Sequence, residues 1–323
     1  YGTSSIEAKG EFMDQLRDMA NRVPFDDRGN ENISIDDISP LLLKDYLTKI
    51  DSRLAKANFA TDIETILDQM QLYDGPKEKR IIKNVAAMMF SEHPEKFFPT
   101  TQVDIVVFPK GREVDPENFI EVPPIKGPVP MMIRNSLEDL RTNIIKERIT
   151  KPTDDERSLK VFNYPFQALE EAVVNALYHR DYKEREPVEI TIEPDRISIL
   201  SYSGPDRSIS LESLKEANML RSRRYRNRRL GDFLKELDLT EGRATGIPTI
   251  QKKLRENGSP KATIETDDSR SYFLIDIPAR KDFVQDADKI RESDIERIKL
   301  NVSKMCPRYV QDMSMNELGL LAI

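Results

Sequence analysis

Between Phe166 and His179 the apolar positions leave only one narrow polar line along the chain. At 100° per residue, Leu169, Ala172, Val173 and Ala176 share a face, and Val174 and Leu177 carry the apolar surface round much of the remainder. The spacing predicts a helix packed on more than one side, led in by Pro165. Glu171 and Asn175, four apart, project side by side from the polar line, with His179 one turn further on.

Elsewhere the period changes with position. Helical spacing is expected at Phe12–Ala20, over Leu41–Leu47 after a cap at Ser34 or Asp36, and from Thr61 through Ile63, Ile66, Leu67 and Met70. Ile81–Phe90 reads as an apolar helix. Val103, Ile105 and Val107 alternate as a strand, and six prolines from Pro109 to Pro130 predict an extended connection. An amphipathic helix is expected from Ser136 through Leu140 and Ile144 to Arg148, then a polar boundary at Lys151–Glu156. Val188, Ile190 and Ile192, a turn at Glu193–Arg196, then Ile197 and Ile199 predict a hairpin. A loop at Ser203–Asp206 follows, then helices over Leu211–Ala217, Leu230–Leu237 and Pro248–Glu256, and strands near Ala262–Glu265 and Tyr272–Ile277. A charged helix runs on from Ala287, and Ser314 with Glu317 forms a capping-box signal. The order predicts an α+β fold, a mostly antiparallel sheet with helices on one face. Four segments are expected: a helical 1–75, a small α/β 76–150, a coherent α/β unit over 151–282, and a C-terminal helix over 283–323.

Composition narrows the function classes. The chain has 323 residues, a net charge of −7 and 33% charged residues, which argues against nucleic-acid binding over its whole surface. Cys306 is the sole cysteine, and His93 and His179 are the only histidines. Internal disulfides, thiolate zinc clusters and histidine-rich metal sites are therefore excluded, and a cytoplasmic setting is expected. No run is long and apolar enough to span a membrane. The chain opens at Tyr1 without a methionine and stops in an apparent helix, so it reads as an internal piece of a longer protein.

A carboxylate and an amide on an apolar helix need something to satisfy them: a ligand, a metal or a fixed hydrogen-bond network. An isolated pair of this spacing is also compatible with a rim acid and a satisfied core amide. Further along, Gly242-Arg243-Ala244-Thr245-Gly246 feeds a helix start, with Pro248 near the first turn. Small residues and exposed N–H groups at a helix N-terminus suit a phosphate, and equally suit a plain turn. Arg221, Arg223, Arg224, Arg226, Arg228 and Arg229 crowd nine positions around Tyr225. Such guanidinium groups fit phosphate of a nucleotide or of DNA, or form a solvated, locally paired helix face. His179 and Arg180 suit a helix C-terminus electrostatically, and Asp181 an anchoring role in the turn.

In this order the pieces resemble the Bergerat-type ATP-binding fold of histidine kinases, gyrase, Hsp90 chaperones and MutL. The resemblance implies that Asn175 holds Mg²⁺ on nucleotide phosphates, that Glu171 orients the attacking water in hydrolysing members, and that Gly242, Thr245 and Gly246 form the phosphate loop. Phe166–Pro278, through Asn175-Ala176-Leu177-Tyr178-His179-Arg180-Asp181-Tyr182, the Ile197–Gly204 hairpin and Gly242–Ile250, is similar to the RecG-like C-terminal module of prokaryotic transcriptional regulators. In those proteins it follows a Schlafen-AlbA-type DNA-binding domain. Tyr1–Ser5 resembles that domain's last strand, Val23–Asp27 its linker, and residues 76–145 the family's middle segment.

The resemblance fails at one place. Nucleotide-binding members read adenine with an aspartate in a D-x-G-x-G loop, whereas Leu200-Ser201-Tyr202-Ser203-Gly204-Pro205-Asp206 offers one glycine and no preceding acid. Losing that carboxylate costs about 1–3 kcal/mol and the base specificity. The expectation is a regulator fragment with a degenerate, non-catalytic sensor or assembly module: Gly204 beside the base, Arg221, Arg223, Arg224 and Arg226 near phosphate, and ATP with Mg²⁺ as ligands or none. DNA, contacted mainly outside this chain, a nucleotide effector and a second copy are the expected partners, with no membrane; Ser314–Ile323 would begin a winged helix. The rivals are a Mg²⁺-dependent ATPase and a ligand-free interaction scaffold.

Overall fold

The computed structural model describes residues 23–59, 62–150, 159–206, 209–210, 212, 225–240, 246–284, 290 and 292–305. The expected elements at Phe12–Ala20, Lys151–Glu156 and Ser314–Glu317, and nearly all of Leu211–Ala217, lie outside these. An N-terminal layer opens with single 3-10 turns at Phe25–Asp27 and Ile35–Asp37, then α1 (Pro40–Lys49) and α2 (Ile63–Gln69). Ser39 stands at the N-cap of α1; Ser34 instead makes a capping box with Asp37 around the second 3-10 turn.

The apolar run 81–90 is not one helix. Ile81–Ile82 (β2) pairs antiparallel with Tyr73–Asp74 (β1) across a turn at Gly75, whose φ of +82° favours glycine. Lys83 remains extended, and α3 (Asn84–Phe90) follows, buried on every side. Pairing with β1 wins over helical spacing because two β-branched residues fit a strand as readily as a helix end.

β3 (Gln102–Val107) and β4 (Ile120–Lys126) pair antiparallel. The proline-rich connection was thus expected to be extended but not to be a strand. It is an edge strand, and the register shifts between Val103 and Ile105, opposite Pro123-Pro124. Edges and bulges are where a sheet tolerates residues without an N–H. α4 (Val129–Asp139) starts seven residues earlier than expected, since Pro130 suits a first helical turn. It closes through a π-turn at Leu140–Ile144 rather than running on to Arg148. The reason lies in the carbonyls: Asn143 O accepts Arg297 Nη2 at 2.9 Å and Ile144 O accepts Asn163 Nδ2 at 2.9 Å. Those oxygens are occupied by other segments, and the chain turns into β5 (Glu147–Thr150), paired with β6 (Leu159–Phe162).

α5 (Phe166–His179) precedes the hairpin β7 (Val188–Ile192) and β8 (Arg196–Tyr202); then come α6 (Arg228–Glu236), α7 (Gly246–Asn257), β9 (Thr263–Glu265), β10 (Tyr272–Pro278), α8 (Lys281–Val284) and α9 (Glu292–Met305). The main sheet has the order β4-β3-β7-β8-β10-β9, antiparallel except for β3 beside β7. Val103, Ile105, Val188, Ile190, Ile197, Ile199, Ile275 and Ile277 face one way and are buried. α4 and α5 pack on the sheet and α7 packs in turn against α5, so the α+β class and the helix layer stand as expected. Each such side chain contributes about 1.5–3 kcal/mol of burial. The strands Gln102–Lys126 share this sheet with β7–β10, so it crosses the residue-150 boundary expected from sequence.

The N-terminal layer docks on α6. The Asp26 carboxylate, fully buried, accepts the amide of Leu230 at 2.7 Å and caps the first turn of α6 from two hundred residues away. Arg229 donates to Met70 O at 2.9 Å, Tyr46 bonds Glu236, and the rings of Tyr46, Phe90 and Phe233 meet edge to face 5.4–5.8 Å apart.

Candidate functional site

α5 forms as its spacing predicts: Ala168, Leu169, Ala172, Val173, Val174, Ala176 and Leu177 are buried, while Glu171 and Asn175 stay partly exposed. Asn175 Nδ2 donates to Glu171 Oε1 at 3.2 Å. Against this pair sits Gly246, the first residue of α7. A Cβ placed on Gly246 would stand 2.4 Å from Asn175 Nδ2 and 2.7 Å from Glu171 Oε1. Glycine is required there by close approach. The acid, the amide and a helix N-terminus thus converge from residues 171, 175 and 246. They also touch, which leaves no phosphate-sized gap between Gly246 and the pair. Gly246 lies inside the helix, two residues before the expected start; Gly242 and Thr245 lie outside the described residues.

The string after Asn175 is built for anchoring. The final carbonyls of α5 have no intrahelical donors. Asn227 Nδ2 reaches Tyr178 O and Arg180 O, each at 2.8 Å, and Arg226 Nη1 reaches His179 O at 2.7 Å. Tyr182 Oη donates to Leu177 O at 2.8 Å. Arg180 is 1% exposed; its Nη2 lies 2.8–3.1 Å from the carbonyls of Pro99, Thr100, Glu184 and Glu186, fastening the start of β3 to the turn before β7. Asp181 accepts the amide of Lys183 at 3.1 Å, in keeping with a turn anchor. The rings of Tyr178, His179 and Tyr225 lie near-parallel with centroids 4.6–5.8 Å apart. Burial, and then the Arg226 guanidinium, push the His179 imidazole down to about 4, so it is neutral at pH 7. A neutral ring packed against two tyrosines that also stack on each other is a packing element.

Gly204 also serves the fold. A Cβ on it would meet Tyr272 O at 2.7 Å and Arg270 O at 2.8 Å, and its amide donates to Arg270 O at 2.8 Å. It is pressed on the turn before β10. Arg226, expected at phosphate, is engaged by His179 O and sits 3.9 Å from Asp181. Arg221, Arg223 and Arg224 lie outside the described residues. Sequence reasoning missed Asn227 and Asp26, whose roles depend on partners far along the chain. The described residues hold no cluster of three or more histidine, cysteine, aspartate or glutamate side chains placed for a metal. None of their helices is long and apolar enough to cross a membrane.

Residues 186–275 match the family described as "Putative ATP-dependent DNA helicase recG C-terminal". The match supports a RecG-like, GHKL-type ATP-binding module over the hairpin, α7 and the last two strands; it begins after Glu171 and Asn175. No curated protein matches the chain. Among solved structures, the DIP2311 protein from Corynebacterium diphtheriae is similar in fold, with a TM-score of 0.58 at 19% identity over 84% of this chain and 50% of that one. The chain thus spans half the length of that relative.

Proposed function

We propose that this chain belongs to a DNA-associated transcriptional regulator whose Bergerat-type module senses a nucleotide without turning it over. The observation that carries the reading is the meeting of Glu171, Asn175 and the N-terminus of α7, seventy-one residues beyond Asn175. The N–H groups and dipole of α7 favour a phosphate. The amide oxygen of Asn175 and the carboxylate of Glu171 are hard donors that suit Mg²⁺ carried on a nucleotide. The ion would neutralise phosphate charge. Arg221, Arg223 and Arg224 belong to the segment facing phosphate or DNA in this reading, while Gly242 and Thr245 belong to its phosphate loop.

Turnover is disfavoured because Glu171 Oε1 is already hydrogen-bonded by Asn175. The Gly204 loop, packed on β10, brings no acid to an adenine, so the base is read loosely. Nucleotide entry requires the start of α7 to withdraw from Asn175, which makes the contact a two-position element suited to sensing. In the same reading residues 1–75 end a DNA-binding domain and its linker, 283–323 lead into a winged helix, and the protein assembles with a second copy.

Thermal unfolding with Mg²⁺-ATP against Mg²⁺ alone tests this. At a hundredfold excess over Kd, binding adds about 2.7 kcal/mol, an upward shift of several degrees. Asn175→Ala should abolish it; equal shifts in both proteins remove the nucleotide reading. The direct Gly246–Asn175 contact favours a second reading, a ligand-free assembly platform. That reading expects no shift in either protein and an oligomeric state indifferent to nucleotide.

A further inference from the structure

The N-terminal layer meets α6 and the end of α5 at a buried junction with one acid at its centre. Asp26 is fully buried, and its Oδ2 accepts the amide of Leu230 in the first turn of α6 at 2.7 Å. Its Oδ1 is equally enclosed and has no hydrogen-bond partner among the described residues. Asn227, the residue before α6, is fully buried as well. Its Nδ2 donates to Tyr178 O and Arg180 O, which leaves its Oδ1 a second buried acceptor without a donor. Phe25 adds to the grip through Phe98 to Tyr182, ring to ring at 6.0 and 6.1 Å.

The surroundings decide which form of Asp26 fits. Its own 3-10 turn brings the Asp27 carboxylate, which takes Lys83 Nζ at 2.8 Å. α6 brings the amides of Leu230 and Arg229, while the Arg229 guanidinium is engaged by Met70 O and lies 3.8 Å from Asp232. The end of α5 brings the hydroxyls of Tyr178 and Tyr182, both kept uncharged by burial. α3 brings the Asn84 amide, which donates to Phe25 O at 2.8 Å. No lysine or arginine side chain among the described residues pairs with Asp26. Burial, helped by Asp27, outweighs the helix amides and raises Asp26 to about 6. A proton there removes one orphan acceptor and supplies a donor where two buried acceptors have none.

We infer that this junction is a pH-operated latch: a proton on Asp26 keeps Phe25–Asp27 seated on the first turn of α6, and its loss unseats that turn while the apolar core stays closed. Once unseated, the carboxyl meets water and returns to its ordinary value of about 4, so opening is favoured as pH rises from there through 6. The latch acts at the end of the helix that carries Glu171 and Asn175. It stands whether or not a nucleotide binds to them.

Amide exchange of the whole chain at pH 5 and pH 7.5, corrected for the intrinsic rise in rate, tests the latch. Residues 228–231 should exchange faster than β7, β8 and β10 at both pH values. Their protection should fall about tenfold across the interval, as expected for a group that moves between about 4 and about 6. Asp26→Asn keeps the shape of the neutral acid and should hold protection at 228–231 constant. Asp139→Asn, which removes another raised carboxyl, should leave the fall there intact. The carboxyl carbon signal of Asp26 needs no variant and should titrate near pH 6. Exchange at 228–231 no faster than in those strands would make the junction part of global unfolding and overturn the latch. So would a fall that persists in Asp26→Asn or vanishes in Asp139→Asn, or an Asp26 midpoint near the ordinary carboxyl value.

Discussion

Arg180 shows how much a single side chain can hold. Its charge is buried against carbonyl oxygens and the face of Tyr182, 5.1 Å away, rather than against a hydrogen-bonded carboxylate. Arg180→Ala should therefore cost at least about 3 kcal/mol in urea unfolding, the scale of a lost buried charge and its bonds. Arg180→Lys should recover less than half, since an ammonium cannot reproduce the planar fork. A cost below 1 kcal/mol would contradict the anchoring role. Asp26 and Asp139 pose the opposite case. Burial raises both to about 6, against the lowering effects of the Leu230 amide on Asp26 and of Asn143 on Asp139. The folded protein thus holds these protons more tightly than the unfolded chain. Their contribution is most favourable below about pH 4 and declines as pH rises through 6, by roughly 2–3 kcal/mol for each group. Asp26→Asn should flatten its share of that slope and gain on the wild type at pH 7.5 relative to pH 5; parallel profiles would refute this.

At the scale of elements, what the sequence made legible followed local period. α5, the β7–β8 hairpin, α7 and the last strands lie within two or three residues of their expected bounds because pattern and burial agree. The misreadings share a cause. Ile81–Ile82, Pro123-Pro124 and the end of α4 are decided by partners distant in sequence: Tyr73–Asp74, the edge of β3, and the side chains of Arg297 and Asn163. Spacing cannot report a partner. For the site, the Glu171–Asn175 pair and its meeting with Gly246 were legible, but their direct contact was not, since a missing Cβ signals close approach without naming the neighbour. α6 carries the same lesson. Its first turn is capped by Asp26, and the residue before it, Asn227, caps α5. Asn227→Ala should cost about 1–2 kcal/mol and raise amide exchange at both residues 178–182 and 228–231. Exchange confined to one helix would show that the two ends are not linked.

Across the whole molecule, one apolar cluster runs from Ile33 in the N-terminal layer, through α5 and the sheet, to Val302 in α9. Segments that share a core cannot release it separately. Residues 23–305 should consequently unfold in a single calorimetric transition with equal calorimetric and van't Hoff enthalpies. Two resolved transitions would mean that the α6 docking surface is weaker than its ring contacts and Asp26 cap suggest.

The two prolines of β4 have a consequence beyond this chain's own folding. A rim strand with free amide hydrogens is an invitation for a neighbouring molecule to add its own strand, and then another. Pro123 and Pro124 sit consecutively midway along that rim, so whichever of the two faces outward offers no donor, while the opposite rim, β9, is only three residues long. Crowded copies therefore lack a template for endless stacking. Exchanging both prolines for valine would restore the template, and fibrillar precipitation on mild heating is the outcome to look for.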